Sequence, residues 1–193
     1  MTDRSPPEAL VLVQELTNTL DVETGEDSLA APGGLDEFAR RHGIEGLGGL
    51  GGLGGKGSGA GTGGRQLAEV CELREALRAA CLAHTGTDMS SAESATLGRL
   101  LAGAPLVVAV DGTGRAALRP ADGLTGLPLL TARVAAGIAT AESDGTWQRL
   151  KACPAHDCLW VFYDRSPAGR GRWCSMAVCG SRAKMRTYRA KQR

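Results

Sequence analysis

Apolar residues recur with helical spacing in five stretches of the chain and run together in two shorter ones, a rhythm that sets out most of the architecture. Pro6 to Leu20 reads as a first helix, with Ser5 as its cap, proline in the first turn, and Leu10, Val13, Leu16 and Leu20 along one side. Leu35 to His42 forms a short helix that Gly43 ends as a left-handed cap. Arg65 to His84 is the strongest periodic segment. Leu67, Val70, Cys71, Leu73, Leu77 and Cys81 group on one side of it, with Arg74 at the edge of that group, and Glu and Arg residues occupy the other side. Ser90 to Gly103 gives another helix. The run Pro105 to Val110, the turn residues Asp111 to Gly114 and the run Arg115 to Arg119 then predict a β-hairpin. Gly126 to Ala141 is again helical, and with Asp144 as a cap the segment through Trp147 and Leu150 is expected to continue as helix.

One segment has no such pattern. Residues 46–64 hold 12 glycines in 19 positions and repeat Gly-Leu-Gly three times, so they read as a flexible, disordered insertion. Gly49, Gly51 and Gly54 match a dinucleotide-binding spacing, but no strand precedes them, and Lys56 lacks the flanking residues of a phosphate loop. Repetition explains the match.

Charge divides the chain where the hydrophobic pattern also changes. Residues 1–150 carry 12 Lys/Arg against 19 Asp/Glu, a net of −7, whereas residues 151–193 carry 10 against 2, a net of +8. Such asymmetry suits a basic part that meets an anionic polymer, or two halves that attract each other. No window has the run of about 18 apolar residues that a membrane span needs, and Asp3, Arg4 and Pro6-Pro7 do not form a secretory apolar core, so the protein is expected to be cytoplasmic and off the membrane.

In a reducing compartment six cysteines point to thiols or metal ligands rather than disulfides. Cys71 and Cys81 lie ten residues apart on one helix, about 15 Å along its axis, too far to share a metal, and they read as small buried residues. Cys153, Cys158, Cys174 and Cys179 form C-x4-C, fifteen residues, then C-x4-C. Paired thiolates at short spacing can close a tetrahedron around one structural zinc, with no open position for catalysis. An iron–sulfur cluster and unrelated thiols are the alternatives, and His156 inside the first pair is an alternative ligand. A 43-residue segment cannot bury enough apolar surface alone, so zinc is expected to hold it folded. Leu159 to Tyr163 and the turn residues Asp164 to Gly169 predict a hairpin joining the two pairs, with Trp160, Phe162 and Tyr163 packing over the metal.

Beyond Cys179, Ser181 is placed to cap a terminal helix on which Arg182, Arg186, Arg189 and Arg193 share one face, flanked by Lys184 and Lys191. No acid follows Asp164 to neutralise them, which makes phosphate the natural partner, with Arg182, Lys184, Arg186, Arg189 and Arg193 as DNA contacts. A solvated face, or a dock on the acidic N-terminal region, is the bland alternative. Met185 and Tyr188 are expected to pack on the zinc core. Against catalysis, His42 and His84 sit near helix ends with no nucleophile–base motif, and the protein is not expected to be an enzyme.

Cys153, Cys158, Phe162, Asp164 and Ser166, then Arg172-Trp173-Cys174-Ser175-Met176 and Cys179-Gly180-Ser181-Arg182 with Lys184, resemble the CGNR zinc finger. Upstream, Leu16-Thr17-Asn18-Thr19-Leu20-Asp21, Leu73-Arg74-Glu75-Ala76-Leu77-Arg78 and the hairpin near Asp111 are similar to the ABATE domain. Ser181 stands where that finger has asparagine, which puts in question any base contact the asparagine makes, and the glycine-rich insertion is also unusual. The resemblance implies an α+β protein: a mainly helical, ligand-sensing N-terminal domain over residues 1–150 with a β-hairpin, followed at 151–193 by a small treble-clef-like zinc finger. It implies a bacterial, stress-linked transcription regulator that binds DNA and answers to an unidentified small-molecule effector. Reading a palindromic site would require a homodimer. A zinc-finger adaptor that grips protein rather than DNA is the alternative function.

Overall fold

The computed structural model describes residues 5–48 and 59–192, with side chains from residue 63 in the second segment. The Gly49, Gly51, Gly54 match and most of the glycine-rich stretch lie outside the described residues.

Among the described residues the fold is α+β, with helices α1 (Glu8–Thr17), α2 (Gly34–Arg41), α3 (Gly59–Ala83), α4 (Ser91–Ala102), α5 (Gly126–Ser143) and α6 (Ser181–Lys191). Two antiparallel hairpins, β1 (Leu106–Val110) with β2 (Ala116–Pro120) and β3 (Leu150–Ala152) with β4 (Val161–Tyr163), complete it. The expected helices and first hairpin are present, but several ends differ. Pro7, not Ser5, occupies the N-cap of α1, where its fixed φ presets the first turn without any side-chain cap. Helix α3 begins at Gly59, so residues 59–64 of the glycine-rich stretch belong to a helix rather than to the insertion. Ser90 and Glu93 form a reciprocal capping box on α4, and Gly43 is left-handed after α2 as its position predicts.

The core is a three-helix packing. Leu10, Val13 and Leu16 of α1, Val70, Leu73 and Leu77 of α3, and Leu130 and Val134 of α5 are almost wholly removed from water. Each such side chain contributes roughly 1.5–3 kcal/mol of burial, before chain entropy is charged against it. Cys81 is fully buried, which pushes its thiol up to about 12, and half-burial raises Cys71 as well. Both are protonated packing residues. Hairpin β1–β2 lies against α5, its turn held by Asp111, whose Oδ1 accepts from the backbone N–H groups of Thr113 and Arg115.

Two arginines on α3 turn inward, Arg74 on the side where spacing already places it and Arg78 beside it. Arg74 and Arg78 are each 4% exposed. Arg74 donates to Asp27 at 2.9 Å and to Thr19, fixing the acidic loop after α1. Arg78 donates from Nη2 to the Thr17 carbonyl and from Nη1 to the Leu159 carbonyl. A helix with two guanidinium groups turned inward needs such partners, because a buried cation without them would cost several kcal/mol.

The largest departure follows α5. The helix does not continue through Trp147 and Leu150: Asp144 is its C-cap, Gly145 at φ +66° breaks it, and after a 3₁₀ turn over Trp147–Arg149 the chain enters β3. A left-handed residue cannot propagate a right-handed helix, and glycine adopts it without penalty. Leu150, Ala152 and Val161 of the second hairpin then join the same core as α1, α3 and α5.

Candidate metal centre and basic helix

Hairpin β3–β4 carries the first cysteine pair in its connecting loop, so it encloses one knuckle instead of joining the two. Register pairs Lys151 with Phe162, and Cys153 N–H donates to the Trp160 carbonyl, which closes the loop over Pro154–Leu159. Within it Cys158 and Leu159 both donate from their backbone N–H groups to the Ala155 carbonyl. Leu159 sits at φ +51°, a left-handed conformation that costs a branched residue about 1–2 kcal/mol. The bond from buried Arg78 to its carbonyl holds it there.

The second pair comes from Cys174 and from Cys179 in a π-helical turn, Met176–Gly180, that runs directly into α6. A hairpin knuckle plus a pair at a helix start is a treble-clef-like arrangement. Ser181 is therefore not a cap. It is the first residue of α6, and its hydroxyl donates to the Met176 carbonyl.

The four sulfur atoms all lie within 4.8 Å of one another, with Cys158–Cys174 at 3.6 Å and Cys174–Cys179 at 3.7 Å. A tetrahedron of Zn–S bonds of about 2.3 Å has edges of about 3.8 Å, so the donor set fits one zinc ion without rearrangement. Burial raises the thiols of Cys174 and Cys179, the latter up to about 12; the sulfurs of Cys153 and Cys158 add to both rises, while that of Cys174 works against it at Cys179. Burial acts in the same sense on Cys153, but backbone N–H groups of Cys174 and Ala155 and the adjacent thiols outweigh it and lower that group. Full ionisation of such a cluster needs a cation among the sulfurs. His156 is exposed and stands outside the sulfur cluster, and Cys71 and Cys81 belong to the other core.

The predicted aromatic cover separates. Phe162 is buried beside the cysteines together with Trp173, Tyr163 packs on the main core, and Trp160 is 39% exposed. Met185 and Tyr188 do not pack on the zinc core either: they are exposed, and α6 has no buried residue. Among the described residues the helix packs mainly on the turn before it. Arg182, Lys184, Arg186 and Arg189 are exposed along it, Arg182 pairing with Glu23 at 2.9 Å, and Arg193 lies outside the described residues.

Family models match both parts of the chain. The ABATE model, described as "Putative stress-induced transcription regulator", matches residues 10–157. The chain belongs to the ABATE family. The CGNR zinc finger model matches residues 149–192 of this ABATE protein. No curated protein matches the chain. Together with the sulfur geometry, the CGNR match makes the centre that of a single structural zinc, which Cys153, Cys158, Cys174 and Cys179 would hold. The two matches overlap at residues 149–157, which is where β3 contributes Leu150 and Ala152 to the main core while leading to Cys153.

Residues that spacing did not single out join the parts. Asn18 brackets Val161, accepting its N–H and donating to its carbonyl, both at 2.8 Å, and Gln14 donates to the same carbonyl. Lys151 and Asp164 form a buried ion pair at 2.8 Å, Lys151 also donating to the Gly169 and Gly171 carbonyls. Burial alone would raise Asp164, but Lys151 and the N–H groups of Ser166 and Gly171 hold it at about 2. A carboxylate held below its ordinary value stabilises the fold fully above pH about 4, and that stability is lost as the pH falls toward about 2. The shift corresponds to about 2 kcal/mol. Asp164→Asn is expected to lower stability against urea by about that amount at neutral pH, with the gap to the wild type closing below pH about 4. Acid releases zinc from both proteins, so their difference is the quantity to read. A constant gap down to pH about 3 would remove the ion pair from this role.

The N-terminal domain also has an open groove of about 820 Å³ between α1, α5 and β2, lined by Leu12, Leu118, Ala136 and Thr140 with His42 and Arg133 among its polar groups. His42 and His84 are helix-end residues as expected: His42 packs on Phe38, and His84 bonds the Leu150 carbonyl. Among the described residues no helix is long and apolar enough to cross a membrane.

Proposed function

We infer that this ABATE protein is a DNA-binding transcription regulator, not an enzyme, in which the zinc centre fixes the root of α6 and α6 meets duplex DNA. The observation that carries this reading is the exposed basic helix itself. It projects from the metal turn with Arg182, Lys184, Arg186 and Arg189 in solvent and no acid after Asp164 within the finger. Like charges on so short a helix repel one another until an anionic partner neutralises them, and phosphates spaced along a duplex do so with release of counterions. The structural zinc supports it because a closed four-sulfur site leaves no position for substrate.

Control by a small molecule is the finer part of the proposal. The groove between α1, α5 and β2 has the volume of a ligand site and a half-buried arginine, Arg133, at its edge. A homodimer would follow if the target is palindromic.

Fluorescence anisotropy of the zinc-loaded protein with genomic duplex fragments, across a salt series, tests the reading. Binding should be lost with chelator and weaken steeply with salt, with a logarithmic slope of about −3 or steeper for four phosphate contacts. Compounds that shift the midpoint in wild type but not in Arg133→Gln would identify the groove as the control site. No binding at low salt would instead favour a finger that grips protein.

A further inference from the structure

At about 100° per residue the side chains of α6 sort into four rows. Arg182, Arg186 and Arg189 form one and Lys184 and Lys191 another on the opposite flank; of the two uncharged rows between them, one holds Ser181, Met185, Tyr188 and Gln192 and the other the small residues Ala183, Thr187 and Ala190. The row of Met185 and Tyr188 carries the large apolar side chains of the helix. Met185 is 50% exposed and Tyr188 is 57% exposed, although a methionine and a tyrosine one turn apart on a helix ordinarily mark the buried side. Among the described residues nothing covers them, since α6 buries no residue and packs mainly on the turn that delivers it.

The charge pattern says what does. A helix about 10–12 Å wide fills a B-DNA major groove about 12 Å wide, with a phosphate strand on each rim and base edges on the floor. Two cationic rows on opposite flanks match the two rims, and the row of Met185 and Tyr188 between them, which carries the large exposed apolar side chains, meets the floor. A membrane surface would ask for a broader apolar face than one Met and one Tyr, and an acidic protein groove would not require cations on both flanks.

We propose that α6 enters the major groove with Met185 and Tyr188 reading base edges, by apolar contact with thymine methyl groups, while the arginine and lysine rows hold the two phosphate strands. The assignment rests on the DNA-binding reading and divides its labour: the cations set affinity and the central row sets sequence. Glu23 already engages Arg182 at the root of the helix, so Arg186, Arg189, Lys184 and Lys191 are the unencumbered clamps among the described residues.

The test uses the full-length, zinc-loaded protein with randomised duplexes about two helical turns long, followed by selection and sequencing. Wild type is expected to enrich a thymine-containing motif. The double variant Met185→Ala/Tyr188→Ala should bind unselected duplex within about twofold of wild type and with the same salt slope, yet lose about tenfold or more of the preference for that motif. Arg186→Gln/Arg189→Gln should instead weaken binding to every duplex and reduce the salt slope by about two. Because the altered side chains are exposed, zinc content and helicity should be those of wild type, and both are measured. Enrichment of the same motif by the Met185/Tyr188 variant, or enrichment of no motif by wild type, overturns the placement while leaving DNA binding intact. Wild type that retains no duplex at low salt overturns both.

Discussion

Cys174→Ser is expected to abolish zinc retention and to melt the chain from about residue 170 onward, while the three-helix core stays folded. The asymmetry follows from where each half of the site is rooted. Cys153 and Cys158 hang from a hairpin whose Leu150, Ala152 and Val161 are buried with α1, α3 and α5, so that half has support without metal. Cys174 and Cys179 have no place in that core: the turn Met176–Gly180 and α6 pack on one another, and the two cysteines join only the small cluster of Cys153, Ala155 and Phe162. Structural zinc in small fingers is worth about 10–16 kcal/mol of apparent binding energy at neutral pH, far more than the packing of Phe162 and Trp173 supplies. The measurements are metal content after gel filtration, far-ultraviolet circular dichroism for the loss of the terminal helix, and thermal unfolding for the persistence of the core. DNA retention should disappear with the helix. Cys71→Ala is the control, changing stability alone; an equal loss of zinc there would overturn the ligand assignment.

The parts of the fold that were legible in the sequence are those where one local rule governs. Cysteine spacing picked out the four sulfurs that the fold brings within 4.8 Å of one another, because knuckle geometry needs sulfurs close in the chain. Apolar periodicity found α1, α3, α4 and α5, and turn chemistry at Asp111–Gly114 found the first hairpin. The errors arose where a long-range partner decides. The stretch after α5 keeps helical propensity through Trp147, but Gly145 turns it and β3 is selected by pairing with β4, eleven residues further along at its start. Periodicity put Arg74 beside the apolar group but could not name the partners that let Arg74 and Arg78 turn inward, which are the loop after α1 and the knuckle carbonyl of Leu159. Met185 and Tyr188 misled in the opposite sense, because an apolar pair on a helix is usually a packing signal and here both are exposed among the described residues.

These long-range partners give the ABATE domain and the zinc finger a shared element rather than a linker. Asn18 and Gln14 of the first helical region bond the backbone of Val161, His84 at the end of α3 bonds that of Leu150, and both strands lead to a zinc ligand or away from one. A displacement of α1 or α3 therefore moves the hairpin and with it the first cysteine pair. The groove between α1, α5 and β2 borders one of those helices.

Arg78 is the most direct test of that coupling. Its guanidinium is buried and serves four acceptors: the Thr17 carbonyl at 2.5 Å, the Leu20 carbonyl at 3.4 Å, the Leu159 carbonyl at 3.0 Å and Glu75 at 3.0 Å. Arg78→Ala leaves three backbone carbonyls without this donor and removes the group that holds Leu159 at positive φ. Each orphaned acceptor costs about 1–3 kcal/mol, and the cost is shared where water can enter, so the expected loss is about 3–5 kcal/mol in urea unfolding. Arg78→Lys should recover little, because a single ammonium cannot span acceptors on α1 and the knuckle at once. The same variant should surrender zinc to a chelator faster than wild type, since the loop bearing Cys153 and Cys158 loses its anchor to α3. A variant with Leu77→Ala, which opens a core cavity at comparable cost without touching the knuckle, separates the two effects. If both variants release zinc at the same rate, Arg78 supports the core alone; if Arg78→Ala releases it faster at matched stability, the guanidinium is the link between the helical domain and the metal.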